Sequence, residues 1–123
     1  MKINFNDLEI QNKIIKKKIL NNFSNTFNNT KFILGPEVKV LENKLSLYTK
    51  SKFCLTTSSG TDALLVALMA LNIKKGDEVI TSSFTFVSTA EVIVRLGAKP
   101  VFVDVSFDDY NIRTDQLKSK ITK

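Results

Sequence analysis

The chain has 123 residues, 43% hydrophobic and 24% charged, values that fit one globular domain with a modest core. It holds no histidine and a single cysteine, Cys54, which excludes His-based acid/base catalysis, a Ser-His-Asp triad, an internal disulfide and a cysteine or histidine metal cluster. The net charge of +6 raises nucleic acid or an acidic membrane as a partner, but no aromatic-interleaved basic stripe accompanies it, so neither is expected.

The N-terminus lacks an apolar core with a small-residue cleavage site, and no apolar run is long enough for a bilayer, so a cytoplasmic location is expected. Residues 7 to about 27 read as a helix that ends in the polar turn Asn28-Asn29-Thr30, and residues 1–34 as an N-terminal helical arm. Lys16-Lys17-Lys18 read as its solvated face, with Ile10, Ile14, Leu20 and Phe23 facing a partner surface. Gly35-Pro36 starts a second helix, with Pro36 suited to the first helical position, and opens an α/β part over residues 35–123. Val38, Leu41, Leu45 and Tyr48 recur at helical spacing, which predicts one buried stripe.

Residues 53–57 read as a short apolar strand with Cys54 as buried packing, and residues 61 to about 71 as an Ala/Leu helix apolar nearly all round, covered on more than one side. Lys75-Gly76-Asp77 makes a turn into a second strand over residues 78–82. A helix follows from residue 85 or 86 to 96, which Gly97 ends in the left-handed conformation. Lys99-Pro100 leads to a third strand over residues 101–105, and Thr114-Asp115 caps a last helix reaching residue 121. Strands alternating with helices predict a parallel sheet with right-handed crossovers.

Function concentrates at the carboxyl ends of such strands. There Thr57-Ser58-Ser59-Gly60-Thr61-Asp62-Ala63 runs from strand into helix, aiming unpaired backbone N–H groups at one point while Gly60 leaves the approach clear for an anion. A phosphorylated ligand is one reading, and an ordinary Ser/Thr helix cap is the other. Phe84 and Phe86 sit at the next strand end, as core residues or as the neighbours of a flat ligand. Asp104, at the third strand end, does not fit a dinucleotide site. The turn lacks Gly-x-Gly-x-x-Gly spacing, and the acidic residue follows the wrong strand. Asp104 reads instead as a partner for nearby backbone donors, and Asp108 and Asp109 as turn residues around Tyr110-Asn111. Glu37, Glu42 and Glu78 form no acid/base dyad.

An ordered set of segments completes the pattern: Gly35-Pro36-Glu37-Val38, Ser59-Gly60-Thr61-Asp62-Ala63-Leu64, Gly76-Asp77-Glu78-Val79-Ile80, Thr85-Phe86 and Pro100-Val101-Phe102-Val103-Asp104. From about Asp7 to the last residue the chain resembles the N-terminal part of the DegT/DnrJ/EryC1/StrS family of sugar aminotransferases that use pyridoxal 5'-phosphate (PLP).

The resemblance implies an α/β fold: part of the fold type I, aspartate aminotransferase-like large domain, preceded by the helical arm. It implies that backbone N–H groups of Gly60, Thr61 and Asp62, with the Thr61 hydroxyl, hold the cofactor phosphate. The Asp62 carboxylate then points away from the phosphate, and Phe86 stacks on the pyridine ring. It further implies a nucleotide-activated keto-sugar substrate, an amino-acid donor, usually glutamate, and a homodimer with composite sites to which the arm contributes. The family's Schiff-base lysine and the carboxylate against the pyridinium nitrogen come from segments beyond Lys123. No catalytic residue and no metal ligand is therefore assigned, and the chain alone is expected to be inactive. The alternative is a noncatalytic binding or interaction module that keeps part of the fold.

Overall fold

The computed structural model describes residues 5–122, and the chain divides into two compact units, Met1–Thr56 and Thr57–Lys123.

In the first unit, α1 spans Glu9–Asn29 and α2 spans Pro36–Thr49. The Asp7 carboxylate accepts the Glu9 N–H at 3.0 Å, answering one of the free donors at the start of α1. Thr30, left-handed at φ 54°, closes α1 where the polar turn was expected. α2 starts with Pro36 at its first position, as Gly35-Pro36 predicts, because proline has no N–H to leave unsatisfied there. It ends in a Schellman motif: Lys50 takes φ 56°, its N–H reaches Leu47 O, and the Ser51 N–H reaches Ser46 O.

Two expectations fail in this unit. The stripe on α2 is not buried, since Leu41 is 48% and Tyr48 86% exposed and neither helix has a buried residue. Residues 53–57 form no strand, and Cys54 is only half-buried. A strand exists only with a ladder partner, whereas here the Thr56 N–H is taken by the Glu42 carboxylate at 2.9 Å.

The second unit contains α3 (Gly60–Ala70), β1 (Glu78–Ser82), α4 (Ser88–Arg95), β2 (Lys99–Val103) and α5 (Thr114–Lys120). β1 and β2 pair in parallel from Glu78↔Lys99 to Ser82↔Val103, with α4 as the crossover. The predicted three-strand sheet is thus a two-strand sheet among the described residues. β2 begins two residues earlier than expected because the Lys99 N–H already bonds Asp77 O at 2.9 Å. Beyond it, Val105 pairs with Ile112 in an isolated antiparallel bridge.

The buried core is Val92, Ile93, Ala98 and Val103, with Thr81 and Ser88 beside it. Gly97, at φ 75°, ends α4 as predicted: its N–H bonds Val94 O and the Ala98 N–H bonds Ile93 O, a second Schellman motif. α3 is not covered on several sides as expected, for it has no buried residue. α5 is capped at Arg113, not Thr114, with no side-chain cap bond; Arg113 instead pairs with Asp115 at 2.7 Å. No described helix is long and apolar enough to cross a membrane, and no group of potential metal ligands occurs among the described residues.

Candidate functional site

The turn before α3 places three of the predicted site residues together. Gly60, Thr61 and Asp62 are the first three residues of the helix, whose cap is Ser59 in extended conformation. Ser59 Oγ accepts the Asp62 N–H at 3.1 Å, and Ser59 O accepts the Ala63 N–H at 3.0 Å. Among the described residues the Gly60 and Thr61 N–H groups have no acceptor. Two donors therefore stand open at the positive end of the helix, and the third is held by a hydroxyl. A Cβ built on Gly60 meets nothing within 4 Å, so the glycine itself stands in open space. Two unpartnered amides at a helix N-terminus are donors of the kind that bind anions.

The Asp62 carboxylate is engaged by the Ser58 hydroxyl, which donates to Oδ2. The Thr57 hydroxyl donates to Ser59 O at 2.9 Å, tightening the same turn. Phe86 lies in the loop between β1 and α4 and is 74% exposed, so its ring is not spent on the core. That loop leads into α4, which packs against α3. Leu64 and Leu68 of α3 and Val92 and Ile93 of α4 line a common cavity of about 140 Å3 beneath. Phe84 is also exposed, and its ring lies 6.2 Å from that of Tyr110.

Other features separate from this site. A groove of about 750 Å3 opens at the amino ends of the strands, around Asp77, Glu78, Lys99 and Thr122. In it Glu78 accepts from the Lys99 ammonium and the Thr122 hydroxyl, each at 2.7 Å, and these two bonds, Lys99 first, hold its carboxyl below the ordinary value. The groove lies at the opposite end of β1 and β2 from Phe86. Asp104 accepts the Val105 N–H at 2.8 Å and its carbonyl accepts the Arg113 N–H, which is the local structural role expected of it. Asp109 accepts the Asn111 N–H and side-chain amide, as a turn residue does.

Among the contacts that escaped the sequence reading is one between Glu42 and Thr56. Glu42 Oε1 takes both the N–H and the hydroxyl of Thr56, which together hold its carboxyl below the ordinary value. The partners are fourteen residues apart, and no periodic signal links them. The Phe84–Tyr110 ring pair is equally non-local.

A parallel β-α-β unit follows a glycine-led helix whose first two amides are unpartnered, and comparison with known proteins gives its class. The fold is that of the PLP aminotransferases of fold type I, represented here by part of the large domain. Residues 13–123 match the DegT/DnrJ/EryC1/StrS aminotransferase family, and the chain belongs to it. It is 44% identical over 120 residues to a Pseudomonas aeruginosa UDP-2-acetamido-2-deoxy-3-oxo-D-glucuronate aminotransferase, covering 98% of this chain and 33% of that protein. A DegT DnrJ EryC1 StrS aminotransferase structure from Brucella abortus aligns with TM-score 0.90 at 40% identity, over 95% of this chain and 31% of the other. NtdA from Bacillus subtilis, solved with bound cofactor PMP, aligns with TM-score 0.89 at 31% identity, over 98% and 28%. The chain thus spans about a third of the length of the relatives it matches.

Proposed function

We propose that the chain supplies the cofactor-phosphate cradle and the ring-stacking aromatic of a PLP-dependent aminotransferase acting on a nucleotide-activated keto-sugar, with glutamate as amino donor. The observation that carries this reading is the pair of unpartnered amides, Gly60 and Thr61, at the start of α3, where Gly60 stands in open space. The name of the Pseudomonas relative, a UDP-linked 3-oxo sugar aminotransferase, supports the substrate class.

The Gly60 and Thr61 N–H groups and the Thr61 hydroxyl donate to the phosphate. The Asp62 N–H joins them when Ser59 Oγ yields it. These donors at a helix N-terminus bind a dianion well, since the helix dipole and the hydrogen bonds act together. The Ser58 hydroxyl donates to the Asp62 carboxylate and so offsets part of its repulsion of a phosphate. Phe86 would cover one face of the pyridine ring, leaving the ring edges free for hydrogen bonds. When bound, PLP supplies the electron sink for moving an amino group from donor to keto-sugar. By the family resemblance, the Schiff-base lysine and the carboxylate against the ring nitrogen belong to segments other than those matched here, and no lysine of this chain is assigned to the cofactor. The complete enzyme works as a cytoplasmic homodimer, and this chain alone does not transaminate.

The test is PLP titration of the purified chain by absorbance, followed by borohydride reduction and peptide mapping. Gly60→Val, which fills the open space at that glycine, weakens binding at least about tenfold, equivalent to one lost charge-assisted hydrogen bond. Unchanged affinity sinks the cradle. A single stoichiometric lysine adduct after reduction overturns the claim that the lysine lies elsewhere.

A further inference from the structure

We infer that Tyr110 is a positioning residue for Phe86, acting through Phe84 to hold the loop of residues 83–87 in place. The inference rests on the reading above that Phe86 receives the cofactor ring.

The first observation is backbone strain. Tyr110 adopts φ 57°, a left-handed conformation that bulky side chains avoid. Among the other non-glycine residues with positive φ, Thr30, Lys50 and Asn72 close helices, where this conformation is routine, and Leu34 stands just before α2. Tyr110 closes the single turn of residues 106–110, its N–H bonded to Ser106 O.

Its conformation is imposed by the turn around it. The Tyr110 N–H bonds Ser106 O at 3.0 Å, the Ser106 N–H bonds Asn111 O at 2.9 Å, and the Val105↔Ile112 bridge closes the base. Ser106 Oγ accepts the Asp108 N–H, and Asp109 takes both donors of Asn111. A strained residue persists only where its surroundings over-determine it, and such residues cluster at functional sites.

The second observation is what the turn presents. The Tyr110 ring meets the Phe84 ring at 6.2 Å between centroids and 41° between planes, within the range of favourable aromatic pairing. Phe84 begins the loop that carries Phe86. That loop is tethered at its start by Ser83 N–H to Val103 O and Phe84 N–H to Ser82 Oγ, and at its end by Thr89 N–H to Phe86 O. With Phe84 70% and Phe86 74% exposed, little core packing fixes either ring. The Tyr110 contact supplies a side-chain anchor two residues from the ring partner of the cofactor.

The test uses the full chain, with the Kd for PLP, the Kd for inorganic phosphate by 31P NMR, and amide hydrogen exchange across residues 83–87 without ligand. Tyr110→Gly suits the left-handed backbone but removes the ring; Tyr110→Phe keeps the ring. Tyr110→Gly is expected to hold or raise Tm, speed exchange in the loop, and weaken PLP about threefold to tenfold, the affinity equivalent of one aromatic pair. Phosphate affinity stays unchanged, and Tyr110→Phe behaves as the parent chain. Phe84→Ala, which leaves the turn intact, reproduces the loop and PLP effects and stands in should Tyr110→Gly fail to fold.

Unchanged loop exchange in Tyr110→Gly and Phe84→Ala overturns the inference, as does equal weakening of PLP and phosphate. Phe86→Ala separates the two levels. If it weakens PLP while Tyr110→Gly and Phe84→Ala do not, only the positioning role fails; if it leaves PLP affinity unchanged, the ring-stacking reading fails and the inference with it.

Discussion

α3 and α4 lie side by side in the same unit, and the more hydrophobic of the two is the less buried. α3 is built almost entirely of Ala, Leu, Val and Met beyond its first turn, yet Leu64, Val66 and Met69 are 41%, 49% and 56% exposed. α4 is shorter and half polar, yet Val92 and Ile93 are each 1% exposed. The difference is position. α4 is the crossover between paired strands and packs against both, so its apolar stripe has a sheet to meet. α3 meets α4, and two strands offer no surface for the rest of its circumference. Composition tells how much a helix needs to bury, and the neighbouring layers tell how much it does bury.

The largest expected effect tests this contrast directly. Ile93→Ala is expected to cost about 2–5 kcal/mol, the usual range for truncating a buried aliphatic side chain. Met69→Ala is expected to stay within about 0.5 kcal/mol, as an exposed position does. Urea unfolding measures both. Equal losses would mean that α3 is covered in solution, for instance by another copy, and the contrast would disappear.

A smaller effect compares how the two helices use glycine. Gly97→Ala, at φ 75° with its new Cβ 3.3 Å from Lys75 Cβ, is expected to lose about 1–2 kcal/mol. Gly60→Ala, with open space around it, is expected to stay within about 0.5 kcal/mol in thermal or urea unfolding. A large loss at Gly60 would make that glycine structural and weaken its reading as a clearance for phosphate.

The smallest effect lies at the foot of the strands that α4 joins. The Glu78 carboxyl is held below its ordinary value of 4.5 by Lys99 and then Thr122. The unfolded chain therefore takes up this proton at a higher pH than the folded one. The contribution is present above pH 4.5 and is lost as pH falls through the depressed folded value. Glu78→Gln should flatten part of the acid limb of a Tm-against-pH curve. An identical limb in the variant would show that the groove bonds add nothing in solution, as exposed ion pairs often do.

Much of this was legible in the residue order wherever the signal is local. Gly35-Pro36 announced the start of α2, Gly97 the end of α4, and the polar turn at Asn28-Asn29-Thr30 the end of α1. Each depends on contacts within about five residues. β1 was read at its observed bounds because Gly76-Asp77 marks its start. Residues 85 to 87 were read as the start of the helix, but α4 begins only at Ser88. The clasp of Glu42 on Thr56 and the ring contact of Tyr110 on Phe84 were invisible because nothing local signals them.

By itself the sequence determined the order of the helices and of β1 and β2, the family, and the α3 start at Gly60 behind a Ser59 cap, because capping, turn chemistry and backbone freedom are properties of neighbouring residues. Only the tertiary structure decided that residues 53–57 stay unpaired, that α4 rather than α3 forms the core, and which amides at the α3 start remain open. Burial and strand pairing require a surface supplied from elsewhere in the chain, and a run of apolar residues carries no record of whether that surface arrives.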